Sequence, residues 1–212
     1  ALGAPDVARA LRQHEAYCRA LERHGLTLTR LPADPAHPDS TFVEDTALVL
    51  PGRGALVTRP GAPSRAGEVH AVRAALAAHF EAVAAIEPPG TLDAGDVAEA
   101  EHVAFVGLSH RTNAEGARQL AAWLARFGIE TRTVDVRAVP GILHLKSGVV
   151  ALDPDVLLAI PALAASPAFA GFRVLVVPPD EAYAANAVRV NDVIVVADGH
   201  PATHALLRDA GY

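Results

Sequence analysis

The chain has 212 residues, 51% of them hydrophobic and 20% charged, and a formal net charge of −6. That balance fits one globular domain with a sizeable core and excludes a disordered chain, while the acidic charge and lack of a basic stripe disfavour nucleic acid. No apolar run reaches the length of a bilayer span, and the single cysteine, Cys18, cannot form an internal disulfide, so a reducing, cytoplasmic setting is expected.

The start, ALGAPDVARALRQHEAYC, lacks the basic-then-apolar layout of a signal peptide. Residues 6–24 predict a helix with Val7, Leu11, Cys18 and Leu21 on one face and His14 on the same stripe. Gly25 fits its stop position, and LTLTRL at 26–31 reads as a strand. A loop over 32–44, containing Pro and Asp, ends at Glu44-Asp45. ALVL, a Pro-Gly turn and ALVTR then predict a strand pair, with a helix over 64–80 and a strand at 83–86. DVAEAEHVAFVG (96–107) predicts the next pair, followed by a helix over 113–127 and the strand ETRTVDV (130–136). Thr112-x-x-Glu115 has the form of a capping box for that helix. VVALDPDVLLAI leads to a weak helix near 161–170, broken by Pro, and then to FRVLVV (172–177). AVRVNDVIVVAD (187–198) predicts a hairpin turning at Asn191-Asp192, and a helix follows over 201–210.

These elements repeat. A polar residue precedes two short strands, usually a helix, and a third strand. The heads are Asp45, Asp96, Ser147 and Asn186, and the first two steps are each 51 residues. A fixed period of this size signals a repeat architecture. Units arranged about an axis bring their heads to one place, the expected active site.

Chemistry-bearing residues gather at those heads. Asp39, Glu44 and Asp45 precede the second unit, Asp93 and Asp96 flank Ala94-Gly95, and His144, Lys146 and Ser147 precede the fourth. Arg65 and Arg111 open the two long helices, where an arginine suits the helix dipole poorly but can hold an anion jointly with the N-terminus. Taken singly, each has a plainer reading. Asp93 or Asp96 can organise a glycine turn, Glu44 can be a solvated loop residue, His144 can be structural, and the arginines can lie on the surface. Their shared location favours a site.

In this order, FVEDTA, TRPGAPSR, TLDAGDV, VGLSHRTN, LHLKS and AANAVRVND resemble the dimethylarginine dimethylaminohydrolases, a family of the guanidine-modifying (pentein) superfamily. The resemblance runs from about residue 28 to the end. It implies an α/β fold, a five-bladed α/β propeller of pseudo-fivefold ββαβ repeats. Residues 1–212 would form a single domain lacking an N-terminal strand region and the C-terminal closing strand. It also implies hydrolysis of Nω-methylated arginine to citrulline and a methylamine through a Cys thiolate adduct. No Gly-rich phosphate loop follows a strand and no paired His or Cys stand at metal spacing, so no cofactor and no metal are expected. Asp45, with Glu44 beside it, would orient the guanidinium. Asp39 would lie near the substrate α-amino group. Arg65 and Arg111 would clamp the α-carboxylate, a bidentate task that suits arginine. His144 would move protons, supported by Asp93. The family nucleophile is a Cys close to the C-terminus. Cys18 matches no motif position and is expected to be a core thiol, so the nucleophile and the closing strand are both expected beyond Tyr212.

A small guanidinium ligand is therefore the expected partner, with no nucleic acid, no membrane and possible pairing into a homodimer. The alternatives are another guanidine-modifying hydrolase of the arginine deiminase kind, or a non-catalytic binding protein on the same fold.

Overall fold

The computed structural model describes residues 6–212; the first five residues of the start read above for a leader lie outside this range. Helix α1 spans Val7–Arg23, and the Asp6 carboxylate caps it by accepting from the Arg9 amide at 2.9 Å. Gly25, at φ 91°, takes the chain out of it. Only part of its apolar stripe is covered, because Cys18 is buried while Val7 and Leu11 are exposed. The strand expected at 26–31 does not form. No described strand pairs with that segment, and backbone groups left unpaired by a sheet stay in solvent-facing loop.

From residue 47 onward the expected strand pattern is present. β1 (Ala47–Leu50), β2 (Gly54–Val57) and β3 (Val83–Ala85) make one sheet, and β4 (Val97–Ala100), β5 (Val103–Leu108) and β6 (Glu130–Asp135) a second. β7 (Val149–Asp153), β8 (Val156–Ala159) and β9 (Arg173–Val176) make a third, and β10 (Val188–Val190) pairs with β11 (Val193–Val195). Each three-stranded sheet is an antiparallel hairpin whose second strand takes a parallel partner. A parallel partner requires a crossover. α2 (Val69–Leu76), α3 (Ala114–Ala125) and the short α4 (Pro161–Ala164) supply it. α5 (Pro201–Asp209) follows the last hairpin.

Two helix expectations need correction. The helix expected over 64–80 breaks into a 3-10 turn at Pro63–Arg65 and α2. Gly67 lies in the break, and a Cβ there would come within 2.3 Å of His37 Nε2. The bare backbone lets the loop over 32–44 dock at that point. The expected capping box does not form, because the cap falls one residue later. Asn113 is the cap, accepting from the Gly116 amide at 2.8 Å, while the Thr112 hydroxyl donates to Asp96 at 2.7 Å.

The sheets pack through small aliphatic side chains, with Phe105 at the centre of one cluster. Its ring meets Phe169 and Phe172 edge-on at 5.0 and 5.1 Å. A second cluster joins the first two sheets through Leu56, Val97, Leu120 and Leu124. What positions the site is a set of 3-10 turns ahead of the hairpins, at Val43–Thr46, Ala94–Asp96, Leu145–Ser147 and Pro179–Ala185. Consecutive turns touch one another, so the four heads sit side by side. No helix among the described residues is long and apolar enough to cross a membrane.

Candidate active site

The turns enclose a cavity of about 330 Å³. Asp39, Glu44, Asp45, Arg65, Arg111 and His144 line it together with Ser147 and Asn186, as the repeat reading expected of the heads. Asp93 stands behind the wall, fully buried. Cys18 is not among the lining residues.

Asp45 sits in the 3-10 turn ahead of β1 with its carboxylate fixed at both oxygens. Oδ1 accepts from the Gly95 amide at 3.1 Å, and Oδ2 accepts from Arg65 Nη1 at 2.6 Å. Its own carbonyl accepts from the Thr58 hydroxyl at 2.8 Å. Gly95 is the residue this packing requires, because a Cβ there would lie 2.4 Å from Asp45 Oδ1 and 3.1 Å from the His144 ring.

The His144 ring donates from Nε2 to the ionised Asp93 Oδ2, 3.0 Å away. Its Nδ1 lies 4.0 Å from Asp45 Oδ1. With Nε2 committed to Asp93, Nδ1 is the nitrogen left to exchange a proton with a ligand. Asp93 Oδ1 accepts from the Gly61 amide at 2.8 Å. Burial works against ionising both groups. For His144, the Asp93 hydrogen bond and the charges of Asp45, Asp96 and Asp93 prevail and raise its pKa above the ordinary 6.5. For Asp93, the hydrogen bonds from His144 and Gly61 and the Arg111 charge prevail and lower its pKa below 3.8.

Asp96, the head that set the repeat spacing, faces away from the cavity and holds the loops around it. Oδ1 accepts from the Leu145 amide at 2.9 Å, and Oδ2 accepts from Ser109 and Thr112 hydroxyls at 2.6 and 2.7 Å. Burial nevertheless pushes its carboxyl above the usual range. It ties the residue just after His144 to the loop on both sides of Arg111.

The two arginines differ. Arg65 is buried and donates to Glu68, Asp45 and the carbonyls of Asp39 and Phe42. Of five guanidinium donors, that leaves one, on Nη1. Arg111 has a buried Nη1 with no partner among the described residues. A buried unpaired donor is costly, so this atom calls for an acceptor. Glu44 is exposed and bonded to Lys146 at 2.7 Å, and Asp39 is exposed at the rim.

Sequence reasoning missed four residues. Phe42 and Leu143, both exposed, line the cavity, and Phe42 lies 6.0 Å from the Arg65 guanidinium. Gly95 and Glu68 were also passed over. The Arg65-x-x-Glu68 spacing of an ion pair on a helical turn was the available signal for Glu68. Asp45, Asp93 and His144 bring one ligand atom each within 4.8 Å of one another, a proximity no local motif reveals.

No family model matches the chain. Solved structures do. A dimethylarginine dimethylaminohydrolase from Pseudomonas aeruginosa, a cysteine-to-serine mutant complexed with citrulline, superposes with a TM-score of 0.93 at 40% identity. The match covers 100% of this chain and 82% of that one. An amidinotransferase from Microseira wollei superposes at 0.80 with 18% identity, over 99% of this chain and 78% of the other, a likeness of fold alone. Among curated proteins, N(G),N(G)-dimethylarginine dimethylaminohydrolase of Pseudomonas aeruginosa is 41% identical over 212 residues, which are 100% of this chain and 82% of the relative. The Streptomyces coelicolor protein of the same name is 40% identical over 209 residues, 98% of this chain and 78% of the relative. The fold is thus that of the α/β pentein proteins, with a carboxylate- and histidine-lined cavity where the repeat units meet. Within that class the chain belongs to the dimethylarginine dimethylaminohydrolase family.

Proposed function

We propose that the cavity binds an Nω-methylated arginine for hydrolysis to citrulline and a methylamine. The observation that carries the substrate class is that a fixed carboxylate, Asp45, and an arginine with an unpartnered guanidinium nitrogen, Arg111, line one cavity. A zwitterionic amino acid with a cationic side chain needs both ends. In this reading Asp45 accepts from the substrate guanidinium with Glu44 nearby, Arg111 takes the α-carboxylate with the remaining Nη1 donor of Arg65, and Asp39 faces the α-amino group. His144, held by Asp93, gives a proton to the leaving amine and takes one from water through Nδ1. The attacking thiolate of the family reaction is not assigned to a residue of this chain, since Cys18 is buried in α1 and does not line the cavity. The closed five-bladed ring belongs to the same reading, supported by the four sheets whose head turns meet.

The test is titration calorimetry with dimethylarginine. Asp45→Asn removes charge-assisted hydrogen bonds that contribute on the order of 1.5–3 kcal/mol each, so binding should weaken roughly ten- to hundredfold. Equal affinity in the wild type and the variant would remove Asp45 from the site.

A further inference from the structure

Glu68 does not line the cavity, yet it is only 4% exposed. Its carboxylate grips Arg65 from the side away from Asp45. Nε lies 3.0 Å from both Glu68 oxygens, and Nη2 lies 2.7 Å from Oε2. On the other side, Arg65 Nη1 lies 2.6 Å from Asp45 Oδ2. A buried carboxylate is costly unless paired, so this arrangement needs a reason.

Charge supplies one. Arg65 and Asp45 alone would sum to zero, and a neutralised carboxylate attracts a cationic ligand weakly. With Glu68 bonded behind Arg65, the three buried groups sum to one negative charge, and the face left for a ligand is that of Asp45. The fork geometry matters as well. Glu68 occupies Nε and Nη2, which turns Nη1 toward Asp45 and the cavity. We propose that Glu68 is a positioning residue that neutralises and orients Arg65, so that Asp45 keeps a net negative charge toward a guanidinium ligand. The proposal rests on the reading of the cavity as a methylarginine site.

The test uses two ligands that share an α-amino acid end and differ in side-chain charge, cationic dimethylarginine and neutral citrulline. Each is titrated by calorimetry into the wild type, Glu68→Gln and Glu68→Asp, with melting curves confirming the fold. Loss of the Glu68 charge should lower the dimethylarginine-to-citrulline affinity ratio about tenfold in Glu68→Gln. Glu68→Asp keeps the charge and should hold the ratio within about threefold of the wild type. If Glu68→Gln does not fold, the Glu68→Asp ratio decides alone. Equal weakening of both ligands in Glu68→Gln would mean a purely structural role and overturn the proposal, as would a ratio in Glu68→Asp tenfold below the wild type. A wild type that does not bind dimethylarginine would overturn the cavity reading itself, and this proposal with it.

Discussion

His144 and Asp93, 3.0 Å apart and buried, hold each other in the charged form. The raised His144 pKa means that the stability it contributes is complete below the ordinary 6.5 and is lost as pH rises through the raised value. Asp93 behaves oppositely. Its contribution is complete above the ordinary 3.8 and is lost as pH falls through its lowered value. The pair therefore stabilises the fold between those limits. An NMR titration of the His144 ring should give a midpoint above 6.5, and Asp93→Asn should bring the midpoint down. A wild-type midpoint at or below 6.5 would contradict the pairing. Arg111 is the other residue with a definite expectation. Arg111→Gln should weaken dimethylarginine binding about tenfold or more, the worth of a charged hydrogen bond. The same change should leave a decarboxylated, agmatine-like analogue nearly untouched. Equal losses for both ligands, measured by calorimetry, would mean that Arg111 acts on the fold and not on the carboxylate.

At the level of elements, close approaches of backbone decide where glycine stands. Gly116, in the first turn of α3, faces Thr91, and an added Cβ would lie 2.0 Å from the Thr91 carbonyl oxygen. That carbonyl already accepts from the Asn113 amide at 3.1 Å. Alanine improves helix propensity by roughly 1 kcal/mol, but the overlap costs about 1–3 kcal/mol. A backbone overlap this short puts the cost in the upper part of that range, a net loss of about 1–2 kcal/mol, so Gly116→Ala should lower the melting temperature by about 2–8 °C, and an unchanged or raised value would show that Thr91 can move away. Elements with a local signature were legible in the sequence. Alternating apolar strands, Gly25 after α1 and the Asn191 hairpin turn, with its φ of 50°, all formed as expected. The strand at 26–31 did not, because a strand exists by its partner and nothing within LTLTRL reports one. The 64–80 helix was cut by Gly67, whose reason is His37, thirty residues earlier in the chain.

For the molecule as a whole, four hairpin-bearing sheets bring their head turns together, and the fixed period of polar heads made that meeting legible without a structure. Motif order brought Asp39, Asp45, Arg65, Arg111 and His144 to the cavity wall and Asp93 behind it. What motif order hid was how partners divide the work. It did not show that Arg65 spends its donors on Asp45 and Glu68, or that Asp96 links loops instead of lining the cavity. Those facts depend on side-chain direction across units, which spacing along the chain does not encode. Cys18 was legible, since its place on a helical apolar stripe matched its burial. Cys18→Ser should leave dimethylarginine affinity unchanged. The central claim is that one zwitterionic ligand spans the cavity, guanidinium at Asp45 and carboxylate at Arg111. A crystal structure of the protein with dimethylarginine bound tests it most directly. The expected result is a guanidinium within hydrogen-bond distance of Asp45, beside His144 Nδ1, with the carboxylate on Arg111 Nη1. A ligand bound in the reverse direction, or outside this cavity, would contradict it.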